Sequence, residues 1–214
     1  MGRIFRCHSK LDANRYGPTV KKKALHLRQS DLDCGCGPHC AVMALMLLGE
    51  IERPEIEHQG NLMRSKNKPL AKMWERSSRF YFVGTTPNTL KSLFSPYKDC
   101  IESTLLNKKG CIEKLIDVLD AQGTCIVGIT SKDFSHWVLA VGVSSSSESR
   151  APDLLLMLDP DAPVMPLTPW NATLSVKATG NGLHRYQSAD ISTRVEVSSV
   201  LALKPLFVDD IELL

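Results

Sequence analysis

The chain has 214 residues, 43% of them hydrophobic, and its 26 basic and 23 acidic residues give a formal net charge of +3. This length suits one domain with a real core. The near balance of charge, without an array of aromatic and basic residues, argues against a nucleic-acid partner. The longest apolar run, Ala41–Leu48, is too short to span a bilayer, so we expect no membrane span.

The cysteines and the N-terminus predict a reducing compartment. Seven cysteines are an odd number, and the first ten residues lack the apolar segment of a signal peptide. Mostly free thiols and a cytoplasmic location are therefore expected, with delivery as an effector left open.

In chain order, the sequence predicts helices first and strands afterwards. Residues 1–28 are polar and predict an extended or loosely packed N-terminal extension. Helices are predicted at 36–48, from 54 to about 65, at 86–94 and at 112–119. Strands are predicted at 124–130, 136–143, 153–158 and 199–204, with 161–195 irregular. This order predicts an α+β domain over 29–207, with a buried helix packed on an antiparallel β-sheet, and a tail at 208–214.

The stretch 29–40 places cysteines where a loop turns into a helix that is apolar on nearly all sides. Pro38 falls in the first turn of that helix, where its missing N–H costs nothing. A thiol at this point faces unpaired backbone N–H groups and the positive end of the helix dipole, which favour thiolate over thiol. A cysteine here is a candidate nucleophile, and both Cys34 and Cys36 are available.

Three further residues complete a candidate catalytic set. His136 opens an apolar strand and can hold the thiol proton. Asp159 follows another apolar strand and can accept the imidazole N–H, which fixes the tautomer. Gln29 can hold a developing oxyanion together with a backbone N–H near the cysteine. Each also has an ordinary structural interpretation: a strand-end histidine bonded to a carbonyl, a turn aspartate before proline, and an exposed loop glutamine.

The motifs also resemble those of a known family. They are Asp-Cys-Gly-Cys-Gly-Pro at 33–38, Gly-Thr-Thr-Pro at 84–87, an amphipathic helix ending in glycine, His-Trp-Val-Leu-Ala-Val-Gly at 136–142 and Leu-Asp-Pro at 158–160. In this order they resemble the papain-like cysteine peptidases that remove double-glycine leader peptides from bacteriocins, as a free-standing relative. The resemblance implies a papain-like fold and a Cys nucleophile, a His base, an orienting Asp and an oxyanion-hole Gln. No cofactor is implied.

Two cysteines compete for the nucleophile's place. The family's Cys-Gly-Pro opens a helix that ends in glycine thirteen residues later, which fits Cys36 and Gly49. The family's Asp-Cys-Gly instead matches Asp33 and Cys34. Gln29 lies five residues before Cys34 and seven before Cys36, whereas the family spacing is six, so the glutamine does not decide. The place at the first helical turn favours Cys36, with Cys34 as the alternative.

A metal site is a weaker interpretation of the same stretch. Four residues there are potential metal ligands: Cys34, Cys36, His39 and Cys40. Structural zinc usually takes two well-separated ligand pairs, and only the Cys-His pair at 7–8 offers a distant partner, so no metal is expected. Reversible oxidation of Cys36 with a neighbouring thiol is a further alternative.

Together these patterns predict a bacterial cysteine peptidase acting on a peptide or protein substrate, with cleavage after double-glycine sites as one option. Two other functions stay open. The same residues could serve an amidase or acyltransferase acting on a non-protein or cell-wall peptide substrate. The chain could also be a catalytically inactive peptide-binding module, although an intact Cys, His and Asp set argues against it.

Overall fold

Antiparallel β-strands dominate the structure. The computed structural model describes residues 2–31, 33–57, 67–149 and 151–206. Its strands, numbered in chain order, are β1 Arg3–Cys7, β2 Leu11–Asn14, β3 Gly17–Val20, β4 Lys23–Ala24, β5 Ile101–Leu106, β6 Thr124–Thr130, β7 Ser135–Ser146, β8 Pro152–Leu158, β9 Ala172–Ser175, β10 His184–Ser188 and β11 Ser192–Pro205.

Six of these strands form a closed barrel. They pair in the order β7–β6–β11–β10–β9–β8, and β8 returns to pair with β7. Outside this circuit, β1 pairs with β7 and β5 pairs with β11. The antiparallel register sets Leu139 of β7 opposite Leu158 of β8, so the start of β7 and the end of β8 lie at the same rim of the barrel. That rim carries the predicted histidine and aspartate.

The predicted papain-like α+β fold, with helices packed on a sheet, is wrong. The sheet closes into a six-stranded barrel, and strands outweigh helices. The prediction treated 161–195 as irregular, but β9, β10 and the start of β11 lie there. Buried residues such as Leu174 and Tyr186 alternate with partly or fully exposed ones in these short strands, so no continuous apolar run marks them. Without β9 and β10 the closure of the sheet could not be predicted.

The described part of the chain contains six α-helices. They are α1 Cys36–Leu48, α2 Arg53–Glu57, α3 Lys68–Ser77, α4 Phe80–Val83, α5 Pro87–Ser92 and α6 Cys111–Asp120. Of these, α1, α5 and α6 contact strands of the barrel. The predicted helices at 36–48, 86–94 and 112–119 are confirmed as α1, α5 and α6, with ends shifted by at most two residues. The second predicted helix is confirmed over α2 alone, and its remainder, like the predicted tail at 208–214, lies outside the described residues. Among the described helices, none combines the length and apolar character that crossing a bilayer requires.

Helix α1 is the central element of the core. Every one of its residues except His39 is buried. Gly49 ends the helix in the left-handed region, at φ 94°, and its N–H donates to the Leu45 carbonyl at 3.0 Å. The helix packs against β6 and β7, and its side chains share one hydrophobic cluster with Leu139 and Val141 of β7. This packing fixes the start of α1 next to the rim of the barrel.

A second cluster fills the barrel. All six barrel strands contribute to it, together with one face of α6. Its members include Val138 of β7, Met157 of β8 and Tyr186 of β10, and Tyr186 is only 1% exposed. The two clusters therefore lie on opposite faces of β7, because successive side chains of a strand point to opposite sides.

The N-terminal segment is part of the same unit. β1 runs alongside β7, with Arg3 opposite Ser146, and β2, β3 and β4 form a small sheet of their own. His8 and Leu25 are buried. The predicted N-terminal extension at 1–28, expected to be extended or loosely packed, thus contributes strands and buried side chains over its described residues 2–28.

Candidate active site

Cys36 is the first residue of α1, and its side chain is buried except for 9% of its surface. The turn before it is held by Asp33, whose Oδ1 accepts the Gly35 N–H at 2.8 Å. The next residue must be small, because a Cβ on Gly37 would lie 2.2 Å from Oγ1 of Thr85. The absence of a side chain at Gly37 therefore lets Thr85 approach the first turn of α1.

His136 and Asp159 meet at the rim of the barrel. His136 is the second residue of β7, and Asp159 directly follows β8. The strand register brings them together, and His136 Nε2 lies 2.6 Å from Asp159 Oδ1. Both side chains are largely buried, with 13% and 4% of their surface exposed. The predicted pairing of these residues is present in the structure.

The other side of the imidazole faces Cys36. Cys36 is close enough to the imidazole to affect its pKa, and Nδ1 is the ring nitrogen that Asp159 leaves open on that side. The thiol itself makes a long contact with the Cys34 carbonyl, at 4.0 Å. Burial alone would lower the pKa of His136, but the hydrogen bond and negative charge of Asp159, together with the neighbouring Cys36, raise it to about 10. The imidazole therefore holds a proton at neutral pH.

Asp159 is held by more than the histidine. Its Oδ2 accepts a hydrogen bond from the Tyr186 hydroxyl, and its Oδ1 accepts the Asp161 N–H at 2.8 Å. Burial would raise the pKa of Asp159, but the hydrogen bond and charge of His136, with those two further donors, lower it. Burial and the nearby carboxylate raise the pKa of Tyr186, which keeps its phenol a donor. The carboxylate is therefore charged and fixed in direction.

The backbone of Asp159 is clamped by Asn171. The Asn171 Oδ1 accepts the Asp159 N–H at 2.7 Å, and its Nδ2 donates to the Asp159 carbonyl at 2.8 Å. The same carbonyl accepts a hydrogen bond from His26 Nε2 at 2.7 Å. Asn171 is 1% exposed, so this clamp lies inside the protein.

The sequence interpretation missed Tyr186, Asn171 and His26. Tyr186 and Asn171 lie in the stretch 161–195, which is predicted to be irregular, and His26 lies in the predicted extension. The hydrogen bond of Tyr186 to Asp159 can be inferred only when the pairing of the neighbouring strands is known, and the sequence did not predict β9 and β10. One signal was available: Asn171 directly follows Trp170 in a stretch that otherwise has few large residues.

Gln29 lies in the loop that leads to α1. Its N–H donates to the Pro160 carbonyl at 2.8 Å, which links this loop to the residue after Asp159. Its Nε2 donates to the Asp33 carbonyl at 3.1 Å, and its Oε1 is buried without a hydrogen-bond partner among the described residues. The predicted oxyanion-hole glutamine thus lies in the loop before Cys36, where its amide is bonded to the turn that carries the thiol.

Cys34 is placed differently from Cys36. It is exposed, and its N–H donates to the Tyr81 carbonyl at 2.6 Å. Cys36, and not Cys34, is among the groups that raise the pKa of His136. Position at the helix start and proximity to the imidazole both favour Cys36 over Cys34.

The potential metal ligands do not converge. His39 Nδ1 donates to the Gly35 carbonyl at 2.7 Å, and the buried Cys40 thiol donates to the Trp137 carbonyl at 3.3 Å. Burial raises the pKa of Cys40 well above its usual value, and the charge of Cys36 raises it further. Within the described residues, no three histidine, cysteine or acidic side chains form a group that could hold a metal ion.

Comparison with known proteins adds no family. Neither a protein-family model nor a curated protein matches this chain.

Proposed function

We propose that this protein is a cysteine peptidase in which Cys36 is the nucleophile, His136 the general acid and base, and Asp159 the residue that orients His136. The observation that carries the proposal is the pairing of His136 with the buried Asp159 carboxylate at 2.6 Å, next to the buried Cys36 thiol at the start of α1. This combination of nucleophile, base and orienting group is typical of covalent acyl-transfer catalysis.

The reaction proceeds in two steps. The Cys36 thiolate attacks the carbonyl carbon, a C–S bond forms, and the π electrons move to the oxygen. Gln29 Nε2 and the Cys36 backbone N–H stabilise this oxyanion. The tetrahedral intermediate collapses, the C–N bond breaks, and His136 donates its proton to the leaving amine. Water then attacks the thioester while His136 takes its proton, which releases the acid and restores the thiolate–imidazolium pair.

A peptide is the proposed substrate because the ordered motifs resemble those of leader peptidases, and glycine-rich sites are one candidate for cleavage. All seven cysteines lie in the described ranges and are free thiols. Free thiols support a reducing compartment, and we propose the bacterial cytoplasm.

The proposal is tested by incubating the protein with a diverse peptide mixture that includes double-glycine sequences, and identifying products by mass spectrometry. New termini that appear with the wild type and not with Cys36→Ala are expected. Cleavage that persists in Cys36→Ala, or no cleavage of any peptide, would contradict the proposal. Binding of peptides without cleavage would instead favour the inactive binding module.

A further inference from the structure

The backbone of Asp159 lies beyond the strand pairing that supports the rest of β8. The last residue of β8 with a partner on β7 is Leu158, and the last with a partner on β9 is Met157. Pro160 follows directly and, having no N–H, cannot extend the ladder of hydrogen bonds. Neither neighbouring strand therefore holds the N–H and the carbonyl of Asp159.

One side-chain amide takes the place of the missing strand partner. Asn171 accepts the Asp159 N–H and donates to the Asp159 carbonyl, and it also donates to the Ala162 carbonyl at 3.0 Å. The two bonds to Asp159 are those that a peptide group of a paired strand would make. The amide oxygen and both amide N–H groups of Asn171 are thus used to fix the turn that begins at Asp159.

His26 supplies a second donor to the Asp159 carbonyl, through Nε2 at 2.7 Å. Burial lowers the pKa of His26, so the ring is neutral at neutral pH, and the bond to a carbonyl places its one proton on Nε2. The two donor nitrogens, Asn171 Nδ2 and His26 Nε2, lie 3.2 Å apart where they converge on this oxygen. Both lone pairs of the Asp159 carbonyl are therefore occupied.

The segment that carries His26 is itself fixed. Leu25, next to it, is fully buried, and Arg53 Nη1 of α2 donates to the His26 carbonyl at 3.0 Å. Three residues further on, the Gln29 N–H donates to the Pro160 carbonyl at 2.8 Å. The N-terminal part of the chain is thus joined at two points to the turn that carries the candidate catalytic carboxylate.

A fixed backbone matters because the carboxylate must reach the imidazole in one direction. Asp159 Oδ1 lies 2.6 Å from His136 Nε2, and the hydrogen bond and charge of this carboxylate raise the pKa of His136 against the effect of burial. Without the donor on its carbonyl, Asp159 would be free to turn about its backbone. Misplacement of a catalytic group by about 1 Å can cost about 10²-fold in rate.

From these contacts we infer that His26 is a positioning residue. Its hydrogen bond to the Asp159 carbonyl, together with the bonds from Asn171, keeps the carboxylate in the direction that binds His136. The N-terminal segment is then a working part of the active site. This role rests on the proposed peptidase function, in which His136 is the base, but the pairing of His136 with Asp159 can be measured without any reaction.

The test is His26→Phe, which keeps a ring and removes the donor, with His8→Phe as the matched control. His8 is also buried, its Nε2 donates to the Gln122 carbonyl at 2.9 Å, and burial lowers its pKa as well. On a peptide that the wild type cleaves, His26→Phe should lower kcat about tenfold or more with little change in KM. His26→Gln, which retains an N–H donor, should recover part of this loss, and His8→Phe should leave kcat unchanged.

A measurement without substrate separates this role from the peptidase proposal. In the Cys36→Ala background, the pKa of His136 is followed by NMR titration of its ring protons. We expect His26→Phe to lower this pKa by about one pH unit or more, because the carboxylate no longer holds its direction, and His8→Phe to leave it unchanged. If the wild type cleaves no peptide but this shift is present, the peptidase proposal fails and the positioning role of His26 stands.

The role of His26 is refuted if the pKa of His136 responds equally, or not at all, to the two phenylalanine substitutions. With an active wild type, it is also refuted if both substitutions lower kcat to the same extent or neither lowers it. Should His26→Phe not fold, Arg53→Ala replaces it, because it removes the donor to the His26 carbonyl from a partly exposed position. We then expect a smaller shift of the His136 pKa in the same direction, and no shift would refute the role.

Discussion

The Tyr186 hydroxyl donates a hydrogen bond to the Asp159 carboxylate oxygen that His136 does not use. The tyrosine ring belongs to the cluster that fills the barrel, whereas the aspartate stands at the rim. The direction of the candidate catalytic carboxylate is therefore set from the interior of the barrel. This relationship leads to the first prediction.

Tyr186→Phe keeps the ring and removes only the donor to Asp159 Oδ2. Leaving a buried charged acceptor without one of its partners should lower the free energy of unfolding by about 1–3 kcal/mol. Because that hydrogen bond helps to lower the pKa of Asp159, its loss should move the acid limb of kcat towards higher pH. Chemical denaturation and a pH–rate profile measure both effects.

The matched control is Tyr97→Phe. Tyr97 is also buried, at 3% exposure, but its hydroxyl has no hydrogen-bond partner among the described residues. Because this hydroxyl is buried without a partner, its removal should not lower the free energy of unfolding and should not change the pH–rate profile. Equal effects of the two substitutions would mean that the Tyr186 hydroxyl has no special role.

The second prediction concerns the nucleophile. Iodoacetamide at neutral pH should react fastest with Cys36, because its thiol is paired with a protonated imidazole. Cys36→Ala should lose this fast reaction and all peptide hydrolysis, whereas Cys34→Ala should keep both. The rates are followed by intact-mass spectrometry. The reverse pattern would assign the nucleophile to Cys34.

The third prediction treats His136 and Asp159 as a unit. Asp159→Asn should leave folding intact but reduce kcat about a thousandfold or more, because the amide can stabilise the wrong tautomer of His136. His136→Ala should be more severe, and the double variant barely worse than His136→Ala alone. Asp161→Asn, an exposed neighbour whose backbone N–H is retained, is the control. Losses that multiply in the double variant would mean that the two side chains act independently.

The fourth prediction is a pH dependence of stability. The pKa of His136 is raised from 6.5 to about 10 in the folded protein, so over this interval the folded state holds a proton that the unfolded state has lost. The free energy of unfolding should therefore fall as pH rises, by up to about 1.4 kcal/mol per pH unit from this group. The stabilisation is complete below pH 6.5 and is lost as pH rises through about 10.

His136→Gln isolates this contribution when both proteins also carry Cys36→Ala, because the thiol could otherwise release the proton that the imidazole holds, while Asp159 still raises the pKa of His136. The difference in unfolding free energy between the two proteins, from urea titrations at several pH values, should shrink steadily across the interval. Parallel curves would show that His136 does not hold the extra proton.

The fifth prediction concerns the oxyanion. Gln29→Ala should lower kcat by about 10²–10³-fold with little change in KM, as expected for a donor that acts in the transition state. Gln187→Ala, an exposed glutamine on β10, should have no effect. An unchanged kcat in Gln29→Ala would mean that Gln29 does not stabilise the oxyanion and that its side chain serves only to bind the Asp33 carbonyl.

Local features of this chain could be predicted from its sequence, whereas features that depend on strand pairing could not. Helix α1 follows from its apolar residues, Pro38 and Gly49, and the pairing of His136 with Asp159 follows from motifs at strand ends. The barrel closes only through β9 and β10. The sequences of these short strands are largely polar, so each one by itself resembles the sequence of a loop. Tyr186 and Asn171 act on Asp159 only through that pairing, so their roles could not be predicted without the topology.

The three candidate catalytic residues come from two different parts of the fold. Cys36 is the first residue of α1, whereas His136 and Asp159 lie at the rim of the closed sheet. The distance between the His136 imidazole and the Asp159 carboxylate is set by the pairing of β7 with β8. The distance between the Cys36 thiol and the imidazole is instead set by the packing of the apolar side chains of α1 against β6 and β7. The apolar side chains between α1 and the sheet thus determine how close the thiol lies to the imidazole. Substitutions among these side chains would change that distance, and with it the rate of the proposed reaction, without any change in the polar atoms of Cys36, His136 and Asp159.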